Sequence, residues 1–185
     1  MRRWLQWMGR GVAGLLLCMA AAVLAFDIFI VRPHVVHIEQ VIAAATPQER
    51  RPPAAVRDVL HRAHGDRLAE WATRDAFLHS MRDGERMSHL RRVLLEGGVA
   101  LMLPLHLSGA DLETAFLASA YMGNGVRGFT AASDRYLGIP LERVDTRQTA
   151  MLIAIANAPS FYLGHPERLE RRVQWLLSRP PSTGL

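Results

Sequence analysis

From Gly11 to Val31 the chain reads GVAGLLLCMAAAVLAFDIFIV, apolar throughout except for Asp27. A helix of that length is about 31 Å long at ~1.5 Å per residue, close to the ~30 Å hydrocarbon core of a bilayer. Asp27 lies four residues from the end of the run, where a carboxylate reaches the headgroup region. Arg2, Arg3 and Arg10 precede the run, so the positive-inside rule keeps the leader in the cytoplasm and places everything after Val31 outside. The alternative is a cleaved signal peptide, with Val23-Leu24-Ala25 as its cleavage point. Continuation of the apolar run through Ile28–Val31 favours the uncleaved anchor. Leu17 before Cys18 disfavours a lipoprotein. Cys18 is the only cysteine, so no intramolecular disulfide can form and the exported body is held by its core alone.

The length of 185 residues allows one domain behind such an anchor, and 50% hydrophobic residues exclude global disorder. The net charge of +5 invites a nucleic-acid reading. Its distribution argues otherwise. Residues 1–32 hold four Arg against one Asp, whereas the other 153 hold eighteen Arg against sixteen acids. The body is nearly neutral, and no nucleic-acid partner is expected. All 22 cations are Arg; the chain contains no Lys.

The organisation expected is a cytoplasmic leader (1–10), a transmembrane anchor (11–31), a linker (32–53), a domain (54–177) and a tail (178–185). His37–Ala45 either extends the anchor helix or opens a short second one, and Thr46–Pro53 reads as a proline-marked break. Apolar residues at three- and four-residue intervals predict helices over Ala54–Leu60, Arg67–Met81 and Ser88–Leu103. Asp66 is a candidate N-cap for the second and Asp83-Gly84 its stop. Ser108-Gly-Ala-Asp111 is a capping box that opens another helix. The cluster Gly123-Asn124-Gly125 with Gly128 bends the chain. Further helices are predicted at Thr130–Leu137, Thr146–Ala156 and Pro166–Leu177. No β-hairpin is evident, and the body reads as all-α.

Two stretches are specific: Ala120–Pro140 (AYMGNGVRGFTAASDRYLGIP) and Val144–Leu177 (VDTRQTAMLIAIANAPSFYLGHPERLERRVQWLL). Gly123-Asn124-Gly125, Gly128, Ala131-Ala132, Tyr136-Leu137-Gly138, Ala158-Pro159-Ser160, Tyr162, Pro166-Glu167 and Arg171-Arg172 follow one another at preserved spacing. In this order the chain resembles the C-terminal half of glycosyltransferase family 51. That family comprises the peptidoglycan glycosyltransferase domain of penicillin-binding proteins and the monofunctional transglycosylases. The resemblance implies a lysozyme-like all-α domain outside the cytoplasmic membrane that polymerises lipid II into glycan strands. It further implies a divalent metal in some members, and lipid II, nascent glycan and other cell-wall synthesis proteins as partners.

Glycosyl transfer from a lipid diphosphate needs a base for the acceptor hydroxyl and positive charge for the departing diphosphate. Arg92-Val93-Leu94-Leu95-Glu96, twelve residues before Ser108, stands in the frame of the family's Arg-Lys-x-x-Glu motif. The resemblance therefore implies Glu96 as a catalytic carboxylate, with Arg92, Ser108, Asn124 and Arg127 as substrate-binding residues. Val93 and Gly109 stand where the family has Lys. The family's first motif, Glu-Asp-x-x-Phe-x-x-His-x-Gly, can be laid on Arg57–Gly65, which puts Arg57 at the position of the base. An arginine stays protonated and cannot serve as one. Glu39, Glu49, Asp58 and Glu70 are the available substitutes, none with a motif around it. His34/His37 and His61/His64 are spaced to share helix faces, but no carboxylate or Cys completes a metal-ligand pattern. Two readings follow: a divergent glycosyltransferase of reduced activity, or a silent relative that binds lipid II, glycan or another wall-synthesis protein.

Overall fold

The computed structural model of the chain describes residues 2–68, 70–72 and 89–180. Its first element is one long helix, α1 (Arg2–Phe26), which passes through a π-helical turn (Asp27–Val31) into α2 (Arg32–Ala44). Pro33 causes the irregularity. It has no N–H to offer residue 29, and its ring crowds that residue's carbonyl, so the helix widens locally. The Arg32 N–H accordingly donates five residues back, to the Asp27 carbonyl. The helical stretch Arg10–Ala44 is long and apolar enough to cross a membrane. Leu15, Leu16, Leu17 and Leu24 project from it, exposed, whereas Val31, Val35 and Ile38 are buried in the body. Residues 32–53, expected as a linker, therefore belong to the fold: α2 and α3 (Pro47–Arg50) both pack on the body.

A polar contact fixes the junction. Asp27 accepts from His106 Nε2 at 2.6 Å, and Arg32 Nε lies 3.5 Å from its other oxygen. His106 follows α5 (His89–Met102), and Gly98 of α5 lies so close to the Phe26 ring that a Cβ there would stand 2.7 Å from it. Leu90, Leu94, Leu101 and Leu105 are exposed on and just after α5, beside the end of the anchor.

The remaining elements are α4 (Ala54–His64), α6 (Gly109–Ser119), β1 (Tyr121–Gly123), β2 (Val126–Arg127), α7 (Phe129–Leu137), α8 (Thr146–Asn157), α9 (Pro159–Gly164) and α10 (Pro166–Ser178). α8 is the axis of the body. An Asp145–Gln148 capping box opens it, and Leu152, Ile153, Ala154 and Ile155 are all fully buried. A helix buried on successive positions has neighbours on several sides, here chiefly α4 and α10. Of the helix expected over Arg67–Met81, Leu68 and Ala72 are buried. Phe77, Leu78, Met81 and the Asp83-Gly84 stop lie outside the described residues, as does the Asp66 side chain. In the tail, Ser178 still belongs to α10 and Arg179 donates to the Ala63 carbonyl at 3.3 Å.

One expectation is corrected. β1 and β2 form a small antiparallel hairpin in the otherwise helical body. Its two-residue turn is Asn124-Gly125, both at positive φ (51° and 78°), the conformation that Asn-Gly supplies most readily. The strands are only three and two residues long, too short for an alternating pattern to reveal them. Tyr136 Oη donates to the carbonyls of Met122 and Gly123, tying α7 to the hairpin.

His64 ends α4 inside the core, its ring 4.8 Å from that of Trp71 and 5.2 Å from that of Phe116. Burial, followed by the charges of Arg172, Arg67 and Arg179, pushes its pKa down to about 4. The native state thus holds it neutral while the unfolded chain protonates near 6.5. Its contribution to stability is complete above that value and is lost as the pH falls towards 4, on the order of 3 kcal/mol. Glu113 acts in the opposite sense, because burial raises its pKa. We therefore expect the His64→Phe variant to show a flatter decline in denaturation midpoint between pH 6.5 and 4 than the parent chain; parallel curves would contradict this.

Candidate functional site

The polar centre of the site begins with a cap. Thr46 precedes α3, with Pro47 at its first position, and Glu49 reaches back to the Thr46 N–H. Glu49 Oε2 accepts from that N–H and from Thr46 Oγ1, each at 3.0 Å. Its other oxygen, Oε1, accepts at 3.1 Å from the backbone N–H of Thr130, 81 residues away at the start of α7. Thr46 Oγ1 and Thr130 Oγ1 lie 2.9 Å apart. The carboxylate is 4% exposed and sits at a helix N-terminus, where the dipole favours its negative charge.

Gly128 makes this approach possible. A Cβ there would stand 2.8 Å from Glu49 Oε1 and 3.0 Å from the Ala118 carbonyl, and its φ of 76° already disfavours a side chain. The Gly123–Gly128 segment thus does two jobs: it turns a hairpin and clears space for a buried carboxylate.

Beside Glu49 lies a cavity of about 260 Å³. α2 contributes His37, Ile38 and Val41, while α6 contributes Ala115, Ala118 and Ser119, and β2 contributes Arg127. The walls are mostly apolar and small, with Glu49, His37 and Arg127 as the ionisable groups. Arg127 is half-buried, its guanidinium 5.4 Å from the centre of the Tyr121 ring. Such a pocket suits a ligand with an apolar portion and an anionic group for the arginine.

The sequence-derived candidates distribute unevenly around it. Arg127 lines the cavity. Asn124 is exposed at the tip of the hairpin, its positive φ accounting for its place in the turn. Ser108 caps α6: its Oγ donates to Asp111 Oδ2 at 2.6 Å and accepts from the Asp111 N–H. Glu96 is half-buried on α5, two residues before the glycine that meets Phe26, and is not among the cavity's lining residues. Arg92 lies one turn earlier on the same helix, its side chain outside the described residues. Of the substitute carboxylates, Glu49 alone reaches the cavity; Asp58 and Glu39 are exposed, and Glu70 pairs with Arg67. Thr46-Pro-Gln-Glu49 has the pattern of a capping box with proline at its favoured first position. That signal marks the buried carboxylate.

The geometry limits the chemistry. A general base needs a lone pair directed at the acceptor hydroxyl. Both Glu49 oxygens already accept hydrogen bonds from the protein. Among the described residues no three His, Cys, Asp or Glu side chains gather into a metal-binding cluster.

Comparison with known proteins is informative at this point. Residues 73–180, more than half of the chain, match the family described as Transglycosylase. A biosynthetic peptidoglycan transglycosylase of Nitrosomonas eutropha is 30% identical over 122 residues, covering 65% of this chain and 48% of that protein. One of the same name from Citrobacter koseri is 33% identical over 98 residues, covering 49% and 38%. Penicillin-binding protein 1A of Pseudomonas aeruginosa is 30% identical over 83 residues, 44% of this chain and 10% of that protein. The chain spans about half or less of the length of these relatives.

Gly128→Ala forces a methyl group against Glu49 at a disfavoured φ, with an expected loss of about 1–3 kcal/mol in chemical denaturation. Glu49→Gln sets an amide NH₂ against at least one of the three donors, with an expected loss of about 1–3 kcal/mol. Stability unchanged by both would show that the clamp is not formed.

Proposed function

The chain belongs to the transglycosylase family, and we propose that it binds lipid II or nascent glycan at the outer surface of the cytoplasmic membrane while transferring glycan slowly or not at all. Family membership supports a glycosyltransferase role in cell-wall synthesis. The N-terminal apolar helix and the exposed leucines of α5 beside its end support a body held against lipid, where a polyprenyl-linked substrate resides. The cavity between α2, α6 and β2 supplies apolar walls and the Arg127 guanidinium for the substrate's anionic portion.

The observation that carries the reading of weak transfer is the state of Glu49. Among the described residues it is the one carboxylate lining the cavity, and its two oxygens accept three hydrogen bonds from Thr46 and Thr130. Arg57, in the frame of the family's base, is an exposed cation on α4. Loss of a general base typically costs ~10²–10⁴ in rate.

The test is a paired assay of the full chain in nanodiscs. Labelled lipid II should bind saturably, with affinity lowered by Arg127→Gln, while glycan strands form at least ~100-fold more slowly than with an active family member. Rapid polymerisation abolished by Glu96→Gln or Glu49→Gln would overturn the proposal, as would the absence of lipid II binding.

A further inference from the structure

Away from the cavity, Arg172 and Arg179 lie where α10 crosses the last turn of α4, the turn that carries Arg62. Arg179, just beyond α10, donates through Nη1 to the carbonyl of Ala63 in the last turn of α4. One turn earlier, the Trp175 ring meets two guanidiniums: Arg172 Cζ is 4.1 Å from its centre and Arg179 Cζ is 4.8 Å away. Arg62 immediately precedes Ala63 on α4. The Nε atoms of Arg62 and Arg172 are buried with no hydrogen-bond partner, and so is Nε2 of His64, a side chain only 8% exposed. The positive charges of Arg172, Arg67 and Arg179 also lower the pKa of His64.

Buried or half-buried cations are expensive without a counter-charge. Arg67 has one, a two-point pair with Glu70 at 2.9 and 3.0 Å. Among the described residues, Arg62, Arg172 and Arg179 have no carboxylate partner within an ion pair's reach. Glu170, on the same helix as Arg172, is engaged by Arg147. The carbonyl end of α4 offers roughly half a negative charge. Among the described residues that leaves the half-buried Arg62 and Arg172 without a full counter-charge.

We propose that the end of α4 and the last turns of α10 form a binding site for a phosphate-class oxyanion, built from Arg62, Arg172 and Arg179 beside His64. Guanidinium groups form paired hydrogen bonds with phosphate oxygens, and a phosphate dianion or a diphosphate neutralises more of the cluster than a single carboxylate does. Stacking on Trp175 holds two of the three guanidiniums in place before the anion arrives, which lowers the ordering cost of binding. None of these residues lines the Glu49 cavity, so the site stands independently of the glycan reading.

The test uses the full chain in phosphatidylcholine nanodiscs, titrated calorimetrically with inorganic pyrophosphate and with inorganic phosphate. Saturable binding is expected, at least tenfold weaker in each of Arg172→Gln and Arg179→Gln. Arg62→Gln, which leaves the tryptophan stack intact, should weaken it as well, with melting curves confirming that the variants fold. The titration is repeated in nanodiscs containing phosphatidylglycerol. A drop in pyrophosphate affinity there assigns the site to lipid headgroups, and an unchanged affinity assigns it to a soluble phosphate compound. No saturable binding in phosphatidylcholine discs, or binding indifferent to all three substitutions, would overturn the proposal.

Discussion

The carboxylate of Glu49 joins two parts of the chain that are 81 residues apart, and the site takes its shape from that joint. On one side it completes the cap of α3 and so fixes how the long N-terminal helix turns into the body. On the other it holds the first turn of α7, and with it the hairpin that carries Arg127. Three hydrogen bonds to a buried charge, in low dielectric, are strong individually and rigid together. Gly128 is the counterpart of this arrangement, since a methyl group at that position would displace the carboxylate. The Gly-Asn-Gly-x-x-Gly segment therefore has a physical role in this chain whatever its substrate.

The same interaction sets the chemical limits of the cavity. A carboxylate that accepts three hydrogen bonds from Thr46 and Thr130 has most of its acceptor capacity committed to structure, with one site left on Oε1. The absence of Lys points the same way. Val93 and Gly109, which the resemblance sets at lysine positions, carry no charge, and every cation of the chain is an arginine. The body is helical, as its family is, and packs against the inner part of a long apolar N-terminal helix.

Much of the frame was legible in the sequence because its determinants are local. Capping boxes, proline stops and three-to-four periodicity placed α4, α5, α7, α8 and α10 to within a few residues. The parts that were not legible depend on contacts distant in sequence. The hairpin is too short to show alternation, so its glycines read only as a bend. Residues 32–53 are marked by prolines and polar side chains and resemble a linker, yet Val35, Ile38 and Ala45 are buried because α6 lies against them. Thr46-Pro-Gln-Glu49 looked like part of that linker, and nothing near it in sequence indicates that Thr130 is the third member of its network. Glu96 was placed by its frame relative to Ser108, a relation along the chain that the cavity does not share.

Amide hydrogen exchange at Thr130 tests the central claim most directly. If Glu49 is a permanent clamp, the Thr130 N–H is protected in the free protein and keeps that protection when lipid II is added at saturation. Loss of protection on addition of lipid II would show the carboxylate leaving its donors for the substrate, and would contradict the account.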